Sequence, residues 1–252
     1  MAMNETAGTK KPASELGDTV RIVVHALILA LLIRIFLFQP FNIPSGSMKE
    51  TLLVGDYLFV SKSSYGYSRH SLPFSPQLFS GRIWSSNPKR GDVAVFKNPY
   101  TGEDYIKRVI GLPGDEIQMI DGVLHINGVF VPKKKVKDFL GRDRRGIKRP
   151  IPRYQETLPN GVKYFVLDEL RTGPLDTTPV YKVPAAHFFM MGDNRDNSTD
   201  SRVSNAVGPV PLVNFVGRAD RLFFSVNEKG SWLKFWNWPS DIRWSRIFSA
   251  VR

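Results

Sequence analysis

The sequence predicts a mainly β protein: an antiparallel β domain carrying an inserted β subdomain, preceded by one N-terminal transmembrane helix. Three observations carry that prediction. One long apolar run stands near the start. Short apolar segments of strand length follow it. Glycine and proline, 20 and 18 of them in 252 residues, punctuate those segments and suit a turn-rich β body better than a helical bundle. Hydrophobic residues make up 42% of the chain, enough to build a packed core.

Residues 1–17 are polar and are expected to be a disordered tail. Residues 18–39 are the expected membrane helix, apolar over 22–38 except for His25 and Arg34. The apolar stretch spans about 25 Å at about 1.5 Å per residue, and Thr19 and Val20 bring it near a bilayer core of roughly 30 Å. A buried core helix is the competing reading, because the run is short for a span. Arg34 lies near the outer end, where its long stem can carry the charge to the interface. Pro40 and Pro44 close the helix. A cleaved leader would exit through small residues, whereas this one exits through Phe36-Leu37-Phe38-Gln39-Pro40. Lys10, Lys11 and Arg21 precede the run and only Lys49 follows closely, which predicts a cytoplasmic N-terminus and an external body.

Strands are predicted from apolar alternation and β-branched or aromatic content at 57–60, 92–96, 105–110, 123–126, 129–131, 162–166, 187–191 and 213–219. Asn127-Gly128 is a strong hairpin signal, since a type I′ turn needs positive φ at both centres. Asn160-Gly161 suggests a second hairpin. Residues 61–90, rich in Ser and Pro, read as an extended loop. Residues 122–186 read as an insertion that divides the body into 40–121 and 187–252.

The net charge of +12 admits nucleic acid, anionic lipid or an ordinary solvated surface as its explanation. Much of the excess lies in Lys133, Lys134, Lys135, Lys137, Arg142, Arg144, Arg145, Lys148 and Arg149, which read as an exposed loop. Few aromatics accompany them to stack bases, so a nucleic-acid partner is not expected. The absence of cysteine excludes thiol catalysis, disulfides and Cys-based zinc sites. His25, His70, His125 and His187 show no metal-ligand spacing and read as structural.

The chemistry-bearing residues lie in three segments. Ile43-Pro44-Ser45-Gly46-Ser47-Met48 sits just beyond the apolar run. Tyr105-Ile106-Lys107-Arg108 lies in a strand. Met191-Gly192-Asp193-Asn194-Arg195-Asp196-Asn197-Ser198-Thr199-Asp200-Ser201-Arg202 forms a late polar loop without the spacing of a Ca²⁺-binding hand. A serine hydroxyl needs a base to attack at neutral pH, and a lysine can serve when burial makes it neutral. Both Ser45 and Ser47 are chemically eligible. Each segment by itself is equally a plain loop or an exposed strand lysine.

Together and in this order, the three segments resemble bacterial type I signal peptidase, a Ser-Lys serine endopeptidase, over about residues 38–252. The resemblance implies a catalytic β core interrupted by a more variable β domain. It also implies an enzyme that removes signal peptides from exported preproteins at the bacterial inner membrane, with its catalytic domain on the outer (periplasmic) face. Signal peptides and membrane lipid are the implied partners, with no cofactor and no metal. Ser47 would be the nucleophile and Lys107 the general base. Ser45 and the Ser47 N–H would hold the oxyanion. Ser198 would orient the Lys107 amine, although Ser201 stands close enough in sequence to compete. Gly192 would allow close packing there, and Arg108 with Asp193 and Asp200 with Arg202 would be structural ion pairs. Ile43, Met48, Leu52, Tyr105 and Ile106 would line apolar pockets for an Ala-x-Ala substrate.

Two features depart from the family pattern. Glu50 stands where the family's Ser-x-Ser-Met-x-Pro-Thr-Leu has proline, and there is one N-terminal helix where some members have two. Trp232, Phe235, Trp236, Trp238 and Trp244 form a tail that reads either as core or as a membrane-interface contact. The alternatives are another Ser-Lys acyl hydrolase and a non-enzymatic, anchored basic module that binds lipid or nucleic acid. A penicillin-binding type would place its serine and lysine together in Ser-x-x-Lys, and self-cleaving repressors lack an anchor.

Overall fold

The computed structural model describes residues 13–72, 75–143, 146–170, 172–227 and 238–251. Trp232, Phe235 and Trp236 of the tail, and Arg144 and Arg145 of the basic stretch, lie outside the described residues. Helix α1 (Ala13–Phe36) takes in the end of the segment expected to be disordered. Its apolar part, Leu16–Phe36, has 21 residues and stands clear of the rest of the protein except at its last turn, where the Phe36 ring meets Tyr67 and the Arg34 and Phe36 carbonyls accept from Lys62 and Tyr67.

The chain then runs through β1 (Phe38–Asn42), β2 (Asp56–Ser61), β3 (Val93–Lys97), β4 (Asp104–Gly111), β5 (Glu116–Ile120), β6 (Val123–Ile126), β7 (Val129–Phe130) and β8 (Lys133–Lys135). It continues with β9 (Phe139–Arg142), β10 (Lys148–Ile151), β11 (Arg153–Thr157), β12 (Lys163–Leu167), β13 (Tyr181–Lys182), β14 (His187–Met191), β15 (Val210–Pro211) and β16 (Phe215–Ser225). The main sheet has seven strands in the order β1-β2-β16-β3-β4-β14-β15, antiparallel at each pairing. Three smaller sheets, β13-β5-β6-β7, β12-β11-β8 and β10-β9, take up the chain between β4 and β14.

The turn signals act as expected at Asn127-Gly128, where φ is +55° and +76°. Asp121-Gly122, with φ of +48° and +75°, turns β5 into β6 in the same way. The Asn160-Gly161 hairpin is longer. Gly161 alone has positive φ, and its N–H donates to Leu158 O at 2.8 Å around Pro159.

Two local readings change. Pro40 does not merely stop the helix: α1 ends at Phe36, and Pro40 sits inside β1. β1 is an edge strand paired only with β2, and an edge tolerates the missing N–H. The basic stretch is not an exposed loop but strands β8 to β10. Lys133 there is largely buried, its ammonium on Asp168 and 4.5 Å over the Tyr154 ring.

Three apolar clusters hold these sheets. Ile43, Met48, Leu52, Leu58, Val60 and Val95 pack beneath the segment that carries Ser47. Phe96, Val109, Phe188, Met190 and Phe215 pack behind β4 and β14. Ile117, Leu124, Val166 and Phe189 join the smaller sheets to the main one. The C-terminal segment docks through Asp56, whose buried carboxylate accepts from Arg243, Arg246 and Ser225.

Candidate active site

The three segments singled out in the sequence meet in space. Ile43 is pinned by its N–H to Asp56 O at 2.8 Å and by its C=O to Gly55 N–H at 3.0 Å. The chain then turns through Ser45 to Thr51, and the Leu52 N–H closes on Met48 O at 2.8 Å. Ser47 therefore stands on a short turn anchored by Met48 and Leu52, both fully buried.

Lys107 approaches from β4. Val93 and Ala94 of β3 register against Arg108 and Lys107 on one side, and β14 pairs with Arg108, Val109 and Gly111 on the other. Lys107 Nζ lies 2.8 Å from Ser47 Oγ and 3.0 Å from Ile106 O. The ammonium also stands 5.2 Å over the Tyr105 ring, its neighbour on the same strand face. Burial pushes the Lys107 pKa down to about 8, although the Asp200 and Asp193 carboxylates pull the other way. Such a lysine can give up its proton near neutrality. Ser45 Oγ lies 3.3 Å from Ser47 Oγ.

The late loop closes the far side. Gly192 N–H donates to Asp200 Oδ2 at 3.0 Å, and Asp200 holds Arg202 by two side-chain bonds of 2.9 Å each. A Cβ on Gly192 would collide with Ser198 Oγ and would lie 2.6 Å from the Ser47 carbonyl oxygen. Ser198 is buried against that glycine, and its hydroxyl has no hydrogen-bond partner among the described residues. The Ser201 hydroxyl is committed elsewhere, accepting from Met190 N–H at 2.9 Å. Asn194 N–H and side chain donate to Ser47 O and Gly46 O, both at 3.0 Å, which fixes the serine turn to the loop.

A cleft of about 460 Å³ opens onto these groups, lined among others by Ile43, Ser45, Ser47, Tyr105, Ile106 and Lys107. Met48 and Leu52 do not line it; they lie in the core below. Asn197 and Thr199 complete the rim from the late loop. Residues 104–107 of β4 lie beyond the stretch paired with β14, so their outer edge faces the cleft across from Phe41 and Asn42.

The family model of the signal peptidases, peptidase S26, matches residues 16–224. The chain belongs to the signal peptidase family. A protein named signal peptidase I in Rickettsia typhi is 42% identical over 245 residues, covering 89% of this chain and 90% of that protein. Its counterpart in Rickettsia conorii is 40% identical over 265 residues, covering 97% and 96%. A solved signal peptidase I structure from Enterococcus faecalis V583 shares 28% identity over 53% of this chain and 97% of that one, with a TM-score of 0.31.

Within this signal peptidase, several supporting residues escaped the sequence reading. Arg195 forms a buried bidentate pair with Glu156 at 2.8 and 2.6 Å and also reaches Tyr164 OH at 3.0 Å. It ties the late loop to β11 and β12. Thr51 Oγ1 donates to Asp193 Oδ2 at 2.5 Å and accepts from Arg108 at 3.2 Å. No local pattern marks Glu156, since its partner lies far along the chain. Glu50 has φ of +91° and pairs with Arg153 at 3.0 Å. The Asp168, Asp176 and Asp196 carboxylates lie within 4.8 Å of one another. Lys133 stands against Asp168, while Asp196 caps the N–H groups of Glu169 and Leu170 at 2.6 and 2.9 Å.

Proposed function

We propose that this chain is a membrane-anchored endopeptidase that removes N-terminal signal peptides from exported preproteins by Ser47–Lys107 catalysis. One observation carries the reading: a buried lysine amine 2.8 Å from a serine hydroxyl at the floor of a cleft with an open strand edge.

The extended peptide adds a strand between residues 104–107 and the 41–45 segment, its main chain bonding to both. Ile43, Tyr105 and Ile106 give the side-chain subsites an apolar lining that suits small residues before the cut. Neutral Lys107 takes the proton from Ser47 Oγ as that oxygen attacks the scissile carbonyl carbon. The carbonyl π electrons move onto oxygen, where the Ser45 hydroxyl and the Ser47 N–H stabilise the charge. The C–N bond then breaks, and the Lys107 ammonium returns its proton to the leaving amine. Water, deprotonated by the same lysine, attacks the ester and releases Ser47. Ser198, packed against Gly192 and with its hydroxyl unpaired among the described residues, would orient the amine as a positioning residue once that hydroxyl turns toward Lys107.

Helix α1 anchors the enzyme. Its 21-residue apolar span is about 31 Å long at about 1.5 Å per residue, a match to a bilayer core of roughly 30 Å. The basic residues before it support a cytoplasmic N-terminus with the catalytic body on the outer face.

The test is cleavage of a preprotein by the purified full-length chain. Ser47→Ala is expected to abolish cleavage while the protein stays folded. Ser45→Ala is expected to retain activity reduced by about 10²–10³-fold, the loss of one oxyanion donor. An active Ser47→Ala with a dead Ser45→Ala would reverse the assignment.

A further inference from the structure

A second cleft, of about 460 Å³, opens where α1 ends. Arg34 from the last helical turn, Gln39 of β1, His70 and Ser75 of the loop after β2, Lys97 of β3 and Asp104 of β4 contribute to its lining. Positive charge gathers around it. Lys62, fully buried beside the helix end, donates to the backbone carbonyls of Arg34, at 2.8 Å, and of Ser71. Burial, and then the Arg34 charge, push its pKa down to about 8. His70 feels the same field: burial, then Arg69, Lys97 and Arg82, push it down to about 4. The ring is therefore neutral. His70 Nε2 accepts from Arg69 at 3.2 Å, which leaves Nδ1–H to donate to Ser75 Oγ at 3.2 Å. Asp104, the one acidic residue on the described lining, is already paired with Lys97 at 3.0 Å.

We propose that this cleft binds a phosphate-bearing anion between the Arg34 guanidinium and the Lys97 ammonium, with the Ser75 hydroxyl and the Gln39 amide as further donors. A planar fork and an ammonium on one cleft suit phosphate oxygens. A neutral histidine holds the Ser75 oxygen from behind and leaves its proton to donate outward. An anion also offsets the Arg34 and Lys97 charges, which add to burial in lowering Lys62 and His70 respectively. Arg34 ends an apolar helix, so an anionic phospholipid headgroup is the source at hand, and this choice of source rests on α1 being a membrane anchor. Free phosphate would bring the same chemistry from solution. Asp104 lines the Ser47–Lys107 cleft as well, so an anion that draws on Lys97 alters the charge on a wall of both clefts.

The test uses the full-length chain in nanodiscs of equal phosphatidylglycerol and phosphatidylcholine, with retained lipid read by native mass spectrometry. One phosphatidylglycerol per chain is expected to be retained in preference to phosphatidylcholine. Arg34→Gln/Lys97→Gln is expected to cut its retention roughly thirtyfold, the loss of two basic contacts. Arg34→Gln alone, at an exposed position, serves if the double variant fails to fold by circular dichroism. Displacement of the lipid by inorganic phosphate identifies a soluble anion as the occupant of the same site. Equal retention of both lipids with no phosphate binding, or unchanged retention in the variants, overturns the proposal. Carbonate extraction of membranes tests the anchor separately. Release of the chain would refute the anchor and leave the phosphate arm to decide the cleft.

Discussion

Arg108 grips Asp193 through two parallel hydrogen bonds, Nε to Oδ1 at 2.9 Å and the guanidinium terminus to Oδ2 at 2.7 Å, with both side chains fully buried. Each is the sequence neighbour of a residue at the candidate site, Lys107 on β4 and Gly192 at the end of β14. Thr51 bonds to both members, so the turn carrying Ser47 is fixed to the same point. The Arg108 guanidinium also stacks 4.4 Å from the Tyr164 ring of β12. One ion pair thus sets the spacing among the serine turn, the lysine strand and the late loop.

Removing one partner strands a buried charge. Arg108→Met or Asp193→Leu is expected to cost about 3–5 kcal/mol, measured by denaturant unfolding of the full-length chain in detergent. The double variant is expected to lose much less than the sum of the two. Single variants within about 1 kcal/mol of wild type would show that the pair is dispensable.

Gly192→Ala places a methyl group against Ser198 Oγ and 2.6 Å from the Ser47 carbonyl oxygen. Neither neighbour is the far end of a flexible chain, so the serine turn must shift. A displacement of about 1 Å at a reacting atom costs on the order of 10²-fold in rate. Preprotein cleavage by Gly192→Ala is expected to fall by about that factor, with folding checked by circular dichroism. Normal turnover would contradict the close packing around Ser47.

Glu50 occupies a backbone conformation that proline cannot reach, since its φ is +91° and the proline ring holds φ near −65°. Restoring the proline found there in the family pattern is expected to lower the thermal midpoint. Glu50→Gly relieves the strain at positive φ but loses the Arg153 pair, so it is expected to lie closer to wild type. A stabilised Glu50→Pro would show that the turn adopts the other geometry.

Much of the main sheet was legible because its strands carry Val, Ile and Phe at strand spacing and its turns carry Gly. Ser47, Lys107, Arg108 and Asp193 were legible through order along the chain, not through any one local pattern. Strand β1 was hidden by Pro40, whose first meaning is a helix stop and whose second, an edge strand, depends on a pairing with β2 that distance in sequence conceals. The basic strands β8 to β10 were hidden by their charge. Lys133 is compensated by Asp168, and Arg149 by Asp143 and Glu169. The Asp121-Gly122 turn carried the same signal as Asn127-Gly128 but lacked an obvious strand before it, because Glu116-Ile117-Gln118-Met119-Ile120 mixes polar and apolar residues. Glu156–Arg195 is a contact of tertiary structure alone, and no residue near either partner announces it.

In the proposed mechanism neutral Lys107 acts as the base for Ser47. Burial lowers its pKa to about 8, so the fraction of free amine, and with it catalysis, must rise as pH climbs through that value. The deciding measurement is the pH dependence of kcat/KM for preprotein cleavage by the full-length chain, which reports the free enzyme's essential base. The ratio kcat/KM is expected to rise tenfold per unit below about pH 8 and to level off above it. A rate independent of pH across that range would contradict the mechanism.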